Sequence, residues 1–265
     1  MIIIISDVHL GYEKCNRESF QRFVNEFLAT QEIEHLVLLG DVLDFWRRSA
    51  NKVVQENREI LDALASLDAE KHYVVGNHDY ALLFTQPFPF EFTKSLTLNS
   101  VHCKFRFIHG YQIEFYSMLR FYEGICEVLC TSGDRTGHIM SNVWDFYEQK
   151  MRRILTREGY SECWKNLEKK DLDAIVEYIM KYPEEEPLRR EFTEEQIIQY
   201  RESPKFNPDE ILVYGHSHNP SVKENEANAG SWVSGPGDSN SFLTIVDGKV
   251  TLHFWKQKEV LHEVL

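Results

Sequence analysis

The chain has 265 residues, of which 43% are hydrophobic, so its length and composition suit one large globular domain with a sizeable core. Its 42 acidic residues exceed its 29 lysines and arginines, which gives a net charge of −13 at pH 7. This charge makes nucleic acid an unfavourable partner, although a local basic patch or a bound metal could overrule it. No segment approaches a membrane span, and residues 1–5 are too short an apolar run for a signal peptide. We therefore expect a cytoplasmic protein.

Short apolar strands and amphipathic helices alternate along the first part of the chain. Residues 2–5 are four isoleucines, a β-branched run typical of a strand buried on both faces. Residues 17–31 and 51–68 carry apolar side chains at helical spacing. Each of these helices is followed by a short apolar strand, at 35–39 and 72–75. The order of strand, helix, strand, helix and strand indicates a parallel sheet with covering helices.

Further strands follow in the second part of the chain. The pieces FRFIHG (105–110) and ILVYGHSH (211–218) each resemble a short strand that ends in glycine and histidine. Alternating patterns predict one hairpin that turns at Asn99 and Ser100, and another that turns at Asp247 and Gly248.

The stretch between these two pieces has a different character, because its apolar pattern is helical throughout. We predict helices at 116–130, about 138–156, 163–181 and 193–201. We interpret residues from about 115 to about 210 as a helical insertion within a single domain of residues 1–265. The insertion forms either a lid over the site or a small packed core.

Five of the apolar strands end in side chains that can bind metals. These are Asp7 and His9; Asp41 and Asp44; Asn77, His78 and Asp79; His109; and His216 and His218. Because the carboxyl ends of strands in open α/β sheets meet at one edge, we expect one shared pocket. Each group alone has an ordinary explanation as a capping turn or polar loop, but five in this order favour a site. Imidazole, carboxylate and carboxamide ligands suit Mn²⁺, Fe²⁺, Zn²⁺ or Co²⁺.

The series DVH, GDVLD, GNHD, HG and GHSH resembles the motifs of the calcineurin-like metallophosphoesterase superfamily, over residues 5–218. The resemblance implies an α/β protein of the α+β sandwich type, with two packed mixed β-sheets flanked by helices. It also implies two divalent ions, of which Mn²⁺ is our first choice. The ligands implied for the first ion are Asp7, His9, Asp41 and His218, and those for the second are Asp41, Asn77, His109 and His216.

The same resemblance assigns catalytic roles. A hydroxide shared by the two ions would attack phosphorus in line. His78 corresponds to the catalytic histidine that assists the leaving oxygen, and Asp44 to the carboxylate that orients this histidine. We interpret Asp79 as a brace for the loop. Arg47 and Arg48 are candidates for a phosphate clamp, although surface arginines are usually solvated.

The identity of the substrate stays open. The order SDVHLG, GDVLDFW and a helical insertion is most similar to UDP-2,3-diacylglucosamine pyrophosphohydrolases, but those enzymes usually carry arginine where this chain has His78. We expect a small nucleotide-like substrate with a phosphodiester or pyrophosphate bond. Phosphomonoesterase and nuclease activities are alternatives. A non-catalytic protein-binding scaffold is a remote alternative, since a scaffold could dispense with the metal ligands.

Overall fold

The computed structural model describes residues 1–85, 90–101, 103–131, 192–204, 206–234, 239–256 and 259–263, and the fold is given for these residues. The strands are β1 (Ile2–Ile5), β2 (His35–Leu39), β3 (Glu70–Val74), β4 (Glu91–Thr93), β5 (Leu96–Ser100), β6 (Cys103–Phe107), β7 (Glu210–Tyr214), β8 (Ser221–Lys223), β9 (Glu226–Asn228), β10 (Ser241–Val246), β11 (Lys249–Lys256) and β12 (Glu259–Glu263). The α-helices are α1 (Arg17–Arg22), α2 (Ala50–Glu56), α3 (Arg58–Ser66), α4 (Tyr111–Glu114), α5 (Leu119–Thr131) and α6 (Glu194–Arg201). A π-helical turn (Phe23–Phe27) and a 3₁₀ turn (Leu28–Thr30) prolong α1, and further 3₁₀ turns lie at Tyr80–Leu83 and Tyr116–Met118.

The described strands form two mixed sheets. One has the order β12-β11-β10-β1-β2-β3-β4, and the other has the order β5-β6-β7-β9-β8. Strands β1 to β4 run parallel, as do β6, β7 and β9, whereas the remaining neighbours are antiparallel. The predicted architecture of two mixed sheets flanked by helices is therefore confirmed.

Strand β1 lies between two hydrophobic cores. Its four isoleucines are at most 4% exposed. Because side chains alternate along a strand, Ile2 and Ile4 pack between the two sheets, whereas Ile3 and Ile5 pack under the helices with Phe20. The apolar run is thus explained by burial on both faces.

Two local predictions from the sequence need correction. The first hairpin turns after Ser100, because Ser100 pairs with Cys103 and Leu98 pairs with Phe105. This register places the apolar pairs on the face between the sheets, so it overrides the turn preference of the Asn-Ser pair. The helix predicted at 51–68 is interrupted at Asn57, which divides it into α2 and α3.

Other local predictions are confirmed. Val246 pairs with Lys249, and both intervening residues have positive φ, as a two-residue hairpin requires. Helix α6 begins with a capping box, in which Thr193 and Gln196 each accept a hydrogen bond from the other's backbone N–H. The helices predicted at about 138–156 and 163–181 lie outside the described residues.

Candidate metal centre

The carboxyl ends of β1, β2 and β3 in one sheet and of β6 and β7 in the other meet at one edge of the sandwich. The residues that follow these strands include Asp7, Asp41, Asn77, His109 and His216. The structure brings six of the predicted ligand residues into two clusters at this edge, with ligand atoms within 4.8 Å of one another in each. A third group, His9, Asp41 and His78, overlaps with both clusters. The donors come from both sheets, so the arrangement depends on how the sheets pack.

The backbone at these strand ends adopts an unusual conformation. Asp7, His9, Asp41, His216 and His218 all have positive φ, between 52° and 65°. Such left-handed residues cost about 1–3 kcal/mol each and persist where the surrounding structure holds them. Here hydrogen bonds between strand ends hold them: the N–H of Asp7 donates to Gly40 O (3.0 Å), and that of His9 to Asp41 O (2.8 Å). The strain directs these five side chains into the shared edge.

Two glycines allow the carboxylates to approach the backbone closely. A Cβ on Gly76 would lie 2.1 Å from Oδ1 of Asp41, and one on Gly215 would lie 2.4 Å from Oδ2 of Asp7. The glycine of GNHD, Gly76, is therefore required for close approach. Its φ is not positive, unlike that of Gly40 on the neighbouring strand end, so Gly76 provides space there and no left-handed backbone.

The first cluster contains Asp7, His9 and His218, with Asp41 beside it. Nε2 of His218 lies 3.1 Å from Oδ1 of Asp7, and Nε2 of His9 lies 3.2 Å from Nε2 of His218. Nε2 of His9 is also 3.8 Å from Oδ2 of Asp41. Nδ1 of His9 faces Oδ2 of Asp44 at 3.2 Å. Since a carboxylate only accepts, it holds a proton on Nδ1 and leaves Nε2 of the neutral ring as a metal donor.

The second cluster contains Asp41, His109 and His216, with Asn77 on the neighbouring strand end. Nδ1 of His109 donates to the carbonyl oxygen of Leu39 (2.8 Å), which directs Nε2 towards Oδ2 of Asp41 at 3.0 Å. Nε2 of His216 lies 2.7 Å from Oε2 of Glu114, a contact that orients the ring beside His109. The ring centroids of His109 and His216 are 5.1 Å apart.

Asp41 is common to both groups of donors. Its Oδ1 accepts the backbone N–H of His78 at 2.7 Å, which fixes the carboxylate. Its Oδ2 lies near ring nitrogens of both His9 and His109. A carboxylate held in this way can bridge two ions about 3.5–4 Å apart.

Three donor atoms in the clusters are buried without a hydrogen bond of good geometry in the described part of the chain. They are Oδ1 of Asp7, Oδ1 of Asn77 and Nε2 of His109. Leaving a buried polar atom unsatisfied costs about 1–3 kcal/mol. Divalent cations bound at this edge would satisfy all three, so the donor set fits two ions that share Asp41.

The electrostatics of the site favour positive charge between the strand ends. Burial acts to lower the pKa of His9, but the nearby carboxylates of Asp44 and Asp7 outweigh it and raise this pKa to about 10. In His109, burial is likewise outweighed by Asp41 and Asp7, and the pKa is raised to about 9. Protons and divalent cations therefore compete for the same carboxylate-lined positions.

His78 lies beside the first cluster in a well-packed environment and is 7% exposed. Its ring stacks on Trp46 with centroids 4.1 Å apart, and its Nδ1 is 3.3 Å from Oδ1 of Asp44. Burial acts to raise the pKa of Asp44, but Arg47 and His78 lower it well below its ordinary value. Asp44 is thus an anion that contacts both His78 and His9.

The two candidate phosphate-binding arginines have protein partners. Arg47 binds Oδ2 of Asp44 through Nη1 (2.6 Å), and its guanidinium lies 4.2 Å from the ring centroid of Tyr12. Arg48 forms a two-pronged ion pair with Glu56 in α2, with both distances 2.6 Å. Their role in substrate binding stays a prediction.

The structure also shows supporting residues that the sequence did not reveal. Glu114 in α4 orients His216, and the Ser6 hydroxyl donates to both Asp7 and Leu39 O. Asp79 accepts from Tyr73 Oη (2.6 Å) and from the backbone N–H of Gly76 (2.7 Å), so it braces the loop as expected. Glu114 carries no motif signal, because its role depends on a contact between distant parts of the chain.

Comparisons with known proteins point to one family. The family model for calcineurin-like phosphoesterases matches residues 1–220. No curated protein matches the chain significantly. Similar solved structures include a single mutant of Vps29 from Entamoeba histolytica, with 16% identity, a TM-score of 0.45 and coverage of 99% of this chain and 96% of that chain. They also include YfcE, a phosphoesterase from E. coli, with 15% identity, a TM-score of 0.44 and coverage of 98% of this chain and 96% of that chain. A third is a dimetal phosphatase from Danio rerio, with 12% identity, a TM-score of 0.46 and coverage of 98% of this chain and 97% of that chain. At these identities and TM-scores, the likenesses say nothing about this chain's activity.

Proposed function

Because the chain belongs to the calcineurin-like phosphoesterase family, we propose that it is a two-metal hydrolase of a phosphodiester or pyrophosphate bond. A small nucleotide-like molecule is the favoured substrate. The observation that carries the proposal is that Oδ2 of Asp41 faces a histidine of each cluster, His9 in the first and His109 in the second. In the described residues, three buried ligand atoms of these clusters also lack a hydrogen bond of good geometry. Structural polar groups are normally paired, so these three atoms support a cation-binding role.

Each of the two ions would have four protein ligands. Asp7, His9, His218 and Asp41 would bind one ion, and Asp41, Asn77, His109 and His216 the other. Mn²⁺ is the favoured metal, and Fe²⁺, Zn²⁺ and Co²⁺ have the same ligand preferences. When bound, such ions supply a hydroxide nucleophile near neutral pH and stabilise negative charge on the phosphoryl oxygens.

The chain's own residues would complete the chemistry. Nδ1 of His78 lies 3.3 Å from both Oδ1 of Asp44 and Nη1 of Arg47, and these contacts fix the plane of the ring together with the stacked Trp46. An imidazole oriented in this way can donate a proton to the leaving oxygen. Arg47 keeps Asp44 ionised, so a negative charge lies beside the His78 ring. Phosphomonoesterase and nuclease activities remain the alternatives within the family.

The test is an assay of chelator-stripped protein with and without Mn²⁺. The substrates are bis-p-nitrophenyl phosphate, p-nitrophenyl phosphate and the p-nitrophenyl ester of thymidine 5′-monophosphate. We expect Mn²⁺-dependent cleavage of the two diesters, fastest for the nucleotide, and loss of cleavage in Asp41→Asn. Asp62→Asn, which alters an exposed carboxylate on α3, is the matched control and should cleave like the wild type. Protein that is shown to hold two ions and yet cleaves none of these esters would contradict the proposal and favour a scaffold.

A further inference from the structure

A second group of metal-binding side chains lies at the opposite end of the same strands. His35 is the first residue of β2, and Glu70 is the first residue of β3. The parallel register pairs His35 with Glu70, and His72 follows Glu70 by two positions. Because side chains alternate along a strand, all three residues share one face of the sheet. Asp41 lies beyond the other end of β2, about 20 Å away at about 3.3 Å per residue.

The donor atoms of this group converge on one point. Nδ1 of His35 lies 3.1 Å from Nε2 of His72. The two oxygens of Glu70 approach these same nitrogens, at 3.4 Å from His35 and 3.6 Å from His72. Two imidazole nitrogens and one carboxylate are the ligand set of zinc sites that keep an open position for water.

A neighbouring carboxylate suits the metal-binding tautomer of His35. Oε1 of Glu34 lies 3.8 Å from Nε2 of His35, on the side of the ring that faces away from His72. A carboxylate near the outer nitrogen favours a proton there and leaves Nδ1 as a donor. Glu91 of β4 pairs in register with His72 and adds a third carboxylate to this part of the sheet. The surroundings therefore favour a cation.

Burial and exposure are also consistent with a metal site. His72 is 8% exposed, so the surrounding residues hold its imidazole in place. The Glu70 side chain is 65% exposed, so an ion can enter from solvent without any rearrangement of the core.

We propose that His35, Glu70 and His72 bind one Zn²⁺ ion, which ties the start of β2 to the start of β3. The site is separate from the phosphoesterase centre and independent of its activity. Its nitrogen-rich donor set favours Zn²⁺ over Mn²⁺, in line with the usual order of metal affinities.

The test measures Zn²⁺ bound per chain by equilibrium dialysis and elemental analysis of the full chain at neutral pH. The variants are His35→Gln and Glu70→Gln, and Glu26→Gln is the matched control with an exposed carboxylate elsewhere. We expect the wild type and the control to hold one more Zn²⁺ than either site variant. The affinity lost should exceed about 10-fold, the smallest loss usual when an outer-sphere partner is removed. Activity with Mn²⁺ should be equal in all four proteins.

Equal zinc contents in all four proteins would overturn the inference. Circular dichroism melts establish that the variants are folded, and Glu70→Gln is the more conservative of the two because its side chain is largely exposed. Anomalous scattering at the zinc edge from Zn²⁺-soaked wild-type crystals supplies an independent readout. A peak between the two imidazoles and the carboxylate supports the site, and the absence of a peak there overturns it.

Discussion

Asn77 offers the most selective test of the proposed ligand assignment, because it belongs to only one of the two clusters. Its Oδ1 is buried without a hydrogen bond, so truncation removes no fold-stabilising contact of that atom. We expect Asn77→Ala to weaken the binding of the second ion by at least about 10-fold and to leave the first unchanged. Mn²⁺ titration followed by calorimetry and electron paramagnetic resonance measures both affinities. Two unchanged affinities in the variant would refute the assignment of Asn77.

His78 tests the catalytic assignment independently of metal binding. Its Nδ1 faces Asp44 and its backbone N–H holds Asp41, but only the side chain is removed in His78→Ala. We expect both ions to bind while the turnover number falls by about 10²–10⁴-fold, the range usual for a general acid. The loss should be larger for an alkyl leaving group than for p-nitrophenolate, because the poorer leaving group needs the proton more.

The control for this experiment is His35→Gln, which alters a histidine at the other end of β2. It should keep the wild-type turnover number for both substrates. A His78→Ala protein with an unchanged rate, or with an equal loss for both leaving groups, would remove the proposed role of general acid.

The sequence predicted the candidate metal ligands better than the residues that orient them. Asp7, Asp41, Asn77 and His109 follow short apolar runs, so the strand pattern alone predicted that they would meet at one edge. Glu114 could not be predicted in the same way. Its contact with His216 forms only when α4 packs beside the end of β7, and no spacing in the sequence encodes that meeting.

The strand-to-loop junctions depend on small residues that leave room for the carboxylates. In Gly76→Ala the added Cβ would lie 2.1 Å from Asp41 Oδ1 and 2.5 Å from the Asp41 backbone nitrogen. We expect a loss of about 1–3 kcal/mol in the free energy of unfolding, as for other overpacked sites. Because Asp41 contacts both clusters, the affinity for both ions should fall. Urea unfolding and Mn²⁺ titration measure the two effects.

A second glycine provides the matched control. Gly124 lies within α5, and a Cβ there would meet no atom of the described residues within 4 Å. Gly124→Ala should raise the free energy of unfolding by up to about 1 kcal/mol, because alanine has the higher helix propensity. If both alanine variants were equally stable and bound metal equally well, close approach at Gly76 would not be the reason for glycine there.

The elements themselves were predicted best where a pattern repeats over several residues. Strand β1 was found because four β-branched residues stand together. The hairpin between β10 and β11 was found because alternation and turn chemistry agreed. The hairpin between β5 and β6 was misplaced because its register follows the packing of Leu98 and Phe105 between the sheets. Tertiary packing decided that turn, and the sequence shows such packing only indirectly.

The proposed ions would link the two sheets, because their donors follow strands of both. Removal of the ions should therefore destabilise the whole fold. A ligand at 100 times its Kd adds about 2.7 kcal/mol to the free energy of unfolding, and two ions would add roughly twice that. For a domain of this size each kcal/mol corresponds to about 2–4 °C in Tm. We expect saturating Mn²⁺ to raise the Tm of chelator-treated protein by about 10–20 °C.

The Asp41→Asn variant distinguishes a specific effect from a general effect of divalent cations on an acidic chain. With a net charge of −13, the protein would gain some stability from screening by any cation. That gain survives in Asp41→Asn and appears equally with Mg²⁺ at the same ionic strength, whereas the specific gain requires the shared carboxylate. An equal rise in Tm for the wild type and Asp41→Asn would mean that charge screening stabilises the fold. A pair of ions bound at Asp41 would then not be the cause. A rise confined to the wild type would place the ions between the two sheets.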